Sequence, residues 1–172
     1  MKKRYIQLLL LSLLFLFCGC NDEWKDEQFE NFVSFKAPLT IEGVSNIYVR
    51  YKGDQKTTFM LPMIVSGSTI NDKNMTVQVR VDPDTLKVLN YERFQNREDF
   101  YYRELMSQYF SMTPAVHIKA GESTALMPID FTLKNIDMVD KWVLPLTILD
   151  DASNGYKANP RKHYRKALLR IY

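Results

Sequence analysis

The feature that most restricts the fold is an alternation of apolar and polar residues in the middle of the chain. Between Met75 and Val81 every second residue is apolar, and the residues between them are Thr76, Gln78 and Arg80. Successive side chains of a β-strand point to opposite faces of the sheet. The spacing therefore predicts a strand with one buried face and one wet face, as antiparallel sheets commonly have.

Further segments of β-strand character follow along the chain, with turn residues such as Lys52-Gly53-Asp54 between them. The candidate strands are residues 29–35, 46–51, 57–65, 75–81, 115–118, 124–133, 142–149 and 166–171. Seven or eight short strands separated by turns are typical of two packed sheets. We therefore predict an all-β fold, an antiparallel β-sandwich over residues 29–172. Because proline lacks the N–H of the ladder, Pro62 and Pro145 predict edge or bulged strands.

Residues 83–113 depart from this alternation and predict a short helical insert. Asp82 is a good cap residue, and Pro83 follows it at a position where a helix does not need the N–H. Leu86 and Leu89 have the spacing of a buried helical stripe. We expect at least one short helix that begins at Pro83.

The second half of the insert is rich in aromatic residues. Tyr101, Leu105 and Tyr109 recur at intervals of four, which predicts a further helical turn. Aromatic residues at helical spacing usually pack inward, so a buried crossover is the favoured interpretation. The alternative is a platform for sugar rings. The residues that could bind a ligand are then Tyr101 and Tyr102, together with Trp24 and Trp142.

The first 19 residues predict a signal peptide. Residues 2–4 are basic, residues 8–17 form an apolar run broken by one serine, and Gly19 precedes Cys20. This run is shorter than the roughly 20 apolar residues of a membrane-spanning helix. The segment resembles a bacterial lipobox, in which the cysteine after the cut is diacylated. Two acyl chains suffice for stable anchoring, so Cys20 is predicted to be the membrane anchor. The alternatives are an uncleaved anchor or an ordinary signal peptide.

The charge of the chain argues against nucleic acid as a partner. The 23 Lys and Arg residues exceed the 20 Asp and Glu residues by three, and three basic residues lie in the predicted signal. The mature chain is therefore neutral, whereas phosphate binding needs a basic face. Cys20 would be the only cysteine left, which excludes an internal disulfide and a thiolate metal site.

Residues 20–28 are mostly charged and show neither the period of a helix nor that of a strand, so they predict a polar, acidic tether. The acidic run after the cysteine also resembles the export signal that sends Bacteroidetes lipoproteins to the outer face of the outer membrane. We therefore expect a lipid-anchored protein of the outer membrane, exposed at the cell surface.

Three segments, Val116–Glu122, Ile129–Phe131 and Trp142–Ile148, carry a resemblance to a protein family. They resemble an uncharacterised N-terminal domain of Bacteroidetes surface lipoproteins, which are often encoded in polysaccharide-utilisation loci. The resemblance covers Phe29–Tyr172 and implies an immunoglobulin-like sandwich. Relatives often continue into a laminin-G-like lectin domain or a glycoside hydrolase. This chain ends after its last predicted strand, so we expect neither domain, and the family offers no catalytic residues to transfer.

The residues give no positive signal for catalysis, a cofactor or a metal. His117 lies in a candidate strand and His163 in a basic loop, and no cluster has the ligand spacing of zinc. The sequence contains no nucleophile elbow and no glycine-rich phosphate loop. Asp137 with Asp140, and the adjacent Asp150-Asp151, could form a carboxylate pair or bind calcium, but adjacent aspartates at a strand end are more typical of turns. We predict that the protein is not an enzyme.

Two classes of function remain. The first is an accessory protein in glycan capture or utilisation, and the second is a structural spacer or protein-interaction module that contacts another surface lipoprotein. The basic run 161–166 is compatible with an anionic ligand. Lys and Arg beside the last strand also protect a sheet edge from aggregation, which is the favoured interpretation.

Overall fold

Eleven β-strands and two α-helices are found in the part of the chain that the computed structural model describes, residues 29–37, 44–51, 53, 56–137 and 139–172. The strands are β1 (Phe32–Phe35), β2 (Ser45–Val49), β3 (Thr57–Ser66), β4 (Met75–Val81), β5 (Arg103–Glu104), β6 (Phe110–Met112), β7 (Ala115–Ile118), β8 (Thr124–Phe131), β9 (Trp142–Ile148), β10 (Lys157–Ala158) and β11 (Lys166–Ile171). The helices are α1 (Pro83–Phe94) and α2 (Lys162–Arg165).

The strands form two sheets, so the predicted all-β sandwich is confirmed. The first sheet has the order β10-β1-β3-β8-β6, and the second has the order β2-β11-β9-β4-β7. Short β5 joins the second sheet beside β9. Most pairs are antiparallel, but β1·β10, β2·β11 and β5·β9 are parallel. These pairs join strands from distant parts of the chain rather than the two arms of a hairpin.

The main core lies between the two sheets and is built by the alternation seen in the sequence. In β4, Met75, Val77 and Val79 are buried, whereas Arg80 is exposed. Strand β9 differs, because all of its residues after Trp142 are buried. Its second face is covered by α1, which makes a smaller cluster of Val44, Leu86, Leu89, Val143 and Leu168. The insert therefore covers the part of the outer face of the second sheet around Val143 and Leu168.

The insert begins as predicted but does not continue as a helix. Helix α1 starts at Pro83 with Asp82 as its N-cap. After Phe94, by contrast, the chain forms two isolated 3-10 turns and the strands β5 and β6. The predicted helical turn through Tyr101 and Leu105 is wrong. The Leu105 N–H donates instead to the Val143 carbonyl at 2.8 Å, because the start of β9 has backbone groups that β4 does not reach.

Pro62 and Pro145 lie in the central strands β3 and β9, so the predicted edge position is wrong. Each proline lies one position beyond the last paired residue of its neighbouring strand, β1 or β4. The Pro62 carbonyl accepts a hydrogen bond from the Lys36 N–H, and the Pro145 carbonyl accepts one from the Asp82 N–H, both at 2.9 Å. The ring nitrogen faces the same side and has no proton to donate in return, so each of these two pairs makes one ladder bond instead of two, and the regular pairing of β1 and β4 ends there.

The predicted signal peptide, residues 1–19, and the predicted tether, residues 20–28, lie outside the described residues, and so do Cys20 and Trp24. Among the residues that are described, no helix has the length and apolar character needed to cross a membrane.

Candidate functional site

Four aromatic residues line a groove on the outer face of the second sheet. Tyr48 lies in β2, Tyr102 in the insert and Trp142 in β9, and Tyr172 follows β11. The groove has a volume of about 330 Å³. We name it the aromatic groove. Its remaining lining residues are Asp140, Lys141, Val143, Arg170 and Ile171.

The register of the second sheet brings these residues together. Arg170 of β11 lies between Tyr48 of β2 on one side and Val143 of β9 on the other. The parallel pairing continues beyond β11, where Tyr172 donates its N–H to the Val49 carbonyl at 3.2 Å. Because Tyr48 alternates with buried neighbours in β2, its ring points to the outer face. The groove is thus assembled from strands that are far apart in the sequence.

Tyr48 and Tyr172 form the open corner of the groove. Their ring centroids are 5.8 Å apart and their planes meet at 88°. Tyr48 is 59% exposed and Tyr172 is 58% exposed, so both rings remain accessible to solvent. Two exposed rings at a right angle present an apolar corner with phenolic hydroxyls at its rim. Such a surface can pack against a sugar ring and also offer it hydrogen bonds.

Arg170 contacts the ring of Tyr48 in this corner and the ring of Tyr102 beside it. Its guanidinium carbon lies 4.4 Å from the ring centroid of Tyr102 and 5.9 Å from that of Tyr48. Both distances fall within the range of cation–π attraction, and a planar guanidinium is well suited to stacking. Arg170 therefore positions one wall and one corner of the groove relative to each other.

Tyr102 and Trp142 are half-buried walls rather than free platforms. The Tyr102 N–H donates to Asn90 Oδ1 at 2.9 Å, and Asn90 Nδ2 donates to the Tyr102 carbonyl at 2.8 Å. The Trp142 indole N–H donates to the Asp137 carbonyl at 2.7 Å, and its ring lies 6.4 Å from that of Tyr109. The Asn90 bonds hold the backbone at Tyr102, and the indole bond fixes the orientation of the Trp142 ring.

The structure thus brings Tyr102 and Trp142 together, but it places Tyr101 elsewhere. The Tyr101 hydroxyl donates to the Gln95 carbonyl, and its ring packs against Phe94. Sequence reasoning missed Tyr48 and Tyr172. The alternation in β2 could have shown that Tyr48 faces outward. The pairing of β2 with β11, which brings Tyr48 close to Tyr172, has no signal in the sequence.

Cations of the insert, and Lys141 just before β9, lie over aromatic rings. The Lys141 ammonium is 5.2 Å from the Phe100 centroid and 5.6 Å from the Phe94 centroid. The Arg97 guanidinium is 5.2 Å from the Phe100 centroid. The groove carboxylate Asp140 is instead engaged by Arg103, whose Nε lies 3.1 Å from its Oδ1. Of these cations, Lys141 lines the groove itself.

The histidines and aspartates that the sequence analysis weighed as catalytic or metal-binding groups contact other residues of the fold. His117 lies on an exposed strand face with its Nδ1 3.1 Å from Thr76 Oγ1, and the ring of His163 packs on that of Tyr164. Asp150 accepts the Ala158 N–H. No group of three or more metal-binding side chains occurs within the described ranges.

The basic run 161–166 takes part in the fold, and the predicted protection of a sheet edge is wrong because β11 lies between β2 and β9. Burial by itself would raise the pKa of Asp82, but hydrogen bonds from Lys166 and Thr85, together with the Lys166 charge, hold it below its usual value. The two charged groups are 2.8 Å apart. Arg165 Nε donates to the Ile148 carbonyl at 2.9 Å.

Comparison with known proteins shows relatives from Bacteroides. A protein of unknown function from Bacteroides ovatus is 49% identical with a TM-score of 0.70, over 81% of this chain and 46% of that one. A multidomain protein including DUF1735 from the same organism is 46% identical with a TM-score of 0.69, over 81% and 44%. An auxiliary nutrient binding protein from Bacteroides thetaiotaomicron is 40% identical with a TM-score of 0.67, over 80% and 48%.

The chain therefore spans less than half the length of these three proteins. No curated protein matches it. Residues 24–152 match a family described as a domain of unknown function, DUF4973. This match extends from before β1 to beyond β9 and so includes most of both sheets. The chain belongs to the DUF4973 family, an uncharacterised family with structural relatives in Bacteroides.

Proposed function

We propose that this protein is a non-catalytic lipoprotein of the outer-membrane surface that binds a glycan in the aromatic groove, as an accessory module in glycan capture or utilisation. The observation that carries the proposal is the exposed right-angled pair of Tyr48 and Tyr172 above two fixed aromatic walls. A preformed concave site of mixed apolar and polar character is the usual form of a small-ligand site. A related protein described as nutrient binding supports the same setting.

The anchor and location are part of this proposal. Cys20 follows a basic segment and a short apolar run, and the residues after it are acidic. Diacylation at Cys20 would hold the domain at the membrane through the tether of residues 20–28. The membrane is then a partner through lipid, and the glycan or another surface lipoprotein is the partner of the domain.

Glycan binding is tested by calorimetric titration of the purified protein with a panel of plant and host oligosaccharides. Tyr48→Ala removes one ring of the open corner and should weaken binding about tenfold, which corresponds to about 1.4 kcal/mol. Tyr91→Ala is the matched control, because Tyr91 is 65% exposed and lies on α1, away from the groove lining. Equal affinity of the two variants, or no binding of any glycan by the wild type, would contradict the proposal.

A second candidate function, a protein-interaction module in an outer-membrane assembly, is favoured by the outer face of the first sheet. Met60 of β3 pairs with Pro128 of β8, and Pro62 pairs with Leu126. Met60 is 45% exposed and Leu126 is 55% exposed, so apolar side chains from two strands form a small patch in water. Leu126→Asp should abolish chemical crosslinking to a neighbouring lipoprotein in whole cells and leave glycan affinity unchanged.

A further inference from the structure

The charges that line the aromatic groove are unequal. Lys141 and Arg170 line it, and Asp140 is the only carboxylate among the described lining residues. Arg103 neutralises that carboxylate at 3.1 Å. Among the described lining residues, basic side chains therefore outnumber carboxylates, although the predicted mature chain is neutral as a whole.

Lys141 is held in a way that leaves its charge available. Its ammonium lies over the rings of Phe94 and Phe100, and it donates a long hydrogen bond of 3.4 Å to the Phe100 carbonyl. Aromatic faces attract a cation without neutralising it, whereas a carboxylate would cancel its field. Lys141 is exposed, so its remaining N–H groups can reach a ligand.

From this arrangement we infer that the ligand of the aromatic groove is an acidic glycan, whose uronate carboxylate or sulfate ester binds Lys141 while its sugar ring packs against Tyr48 and Tyr172. The inference rests on the proposed function and adds the class of sugar. An anion that meets an ammonium forms a short, charge-assisted hydrogen bond, which is stronger than a bond between neutral groups. Because the contact is exposed, salt should weaken it.

The test compares charged and neutral forms of the same saccharide by calorimetric titration of the purified protein. One pair is an oligogalacturonide and its methyl ester, which isolates the carboxylate, and the other is dextran sulfate and dextran, which isolates the sulfate. We expect the charged member of one pair to bind about tenfold tighter than its neutral form at low salt. Lys141→Gln should remove that preference. Lys87→Gln, an exposed lysine of α1 outside the groove, should keep it.

The outcomes separate this inference from the proposed function. Equal binding of the charged and neutral forms would overturn the acidic class and leave glycan binding intact. A preference that survives in Lys141→Gln, with unchanged thermal unfolding, would place the anion elsewhere and overturn the inference as well. Failure of every saccharide, neutral or charged, would overturn the proposed function itself.

Discussion

Replacing Asp82 with alanine removes a carboxylate that joins the start of α1 to β11. Asp82 is 7% exposed, its Oδ1 accepts the Thr85 N–H at 3.3 Å, and its Oδ2 accepts the Thr85 hydroxyl at 2.7 Å. The ammonium of Lys166 lies 2.8 Å from the same Oδ2. The substitution therefore removes the helix cap and leaves a half-buried cation without its carboxylate.

The expected loss follows from these contacts. Loss of an N-cap side chain costs about 1 kcal/mol. A hydrogen bond to a charged group contributes roughly 1.5–3 kcal/mol, and the Lys166 side chain, 26% exposed, regains only part of its hydration. We therefore expect Asp82→Ala to lower the free energy of unfolding by about 2–4 kcal/mol. Asp82→Asn keeps a capping oxygen and should lose less.

Urea unfolding, followed by tryptophan fluorescence, measures this loss at a series of pH values. The pKa of folded Asp82 is lowered, so its contribution is fully present above the ordinary carboxyl pKa of 3.8 and is lost as the pH falls through the lower folded value. The stability difference between wild type and Asp82→Asn should therefore be constant near neutral pH and shrink below about pH 4.

Asp84→Asn is the matched control. Asp84 lies two residues further along, with its side chain 88% exposed and 3.5 Å from Lys87. A surface pair of this kind should contribute less than about 0.5 kcal/mol. Equal losses in Asp82→Ala and Asp84→Asn, or a difference at Asp82 that does not change with pH, would refute the structural role assigned to the Asp82–Lys166 pair.

Three further predictions concern the anchor and the core. Cys20→Ser should release the protein from membranes or leave an unprocessed precursor, and normal processing with unchanged membrane fractionation would exclude lipidation. Leu105 is 1% exposed and Met106 is 46% exposed, so urea unfolding should show a loss of about 2–5 kcal/mol for Leu105→Ala and little for Met106→Ala. The Tyr156 hydroxyl accepts the Gln78 N–H at 3.0 Å, so Tyr156→Phe should cost about 1–3 kcal/mol by leaving that donor unmatched. An unfolding curve that coincides with the wild type would contradict this role.

Most of the regular structure could be predicted because its signals are local. The alternation between Met75 and Val81 indicates which side chains face the core. Asp82 followed by Pro83 marks the start of α1 for reasons contained in a few residues. The same reasoning failed after Phe94. The spacing of Tyr101 and Leu105 fits a helix, and the sequence does not show that the start of β9 has backbone groups left for Leu105 to bond.

The short strands β5, β6 and β10 could not be predicted for a related reason. Two or three residues carry no period, and each forms only because a longer neighbour has unpaired backbone groups beside it. The positions of the two strand prolines could not be predicted either. Pro62 and Pro145 are acceptable in central strands because the neighbouring strands end there, and no local pattern reports that end.

The sequence by itself determined that the chain forms an all-β domain with one capped helix, because side-chain alternation and capping act between residues a few positions apart. Only the tertiary structure decided the candidate site. Tyr48 and Arg170 become neighbours through the parallel register of β2 and β11, and Tyr172 meets Tyr48 because that register continues past β11. Burial of the inner faces selects this register among the alternatives, and the outward rings are carried into contact as its consequence.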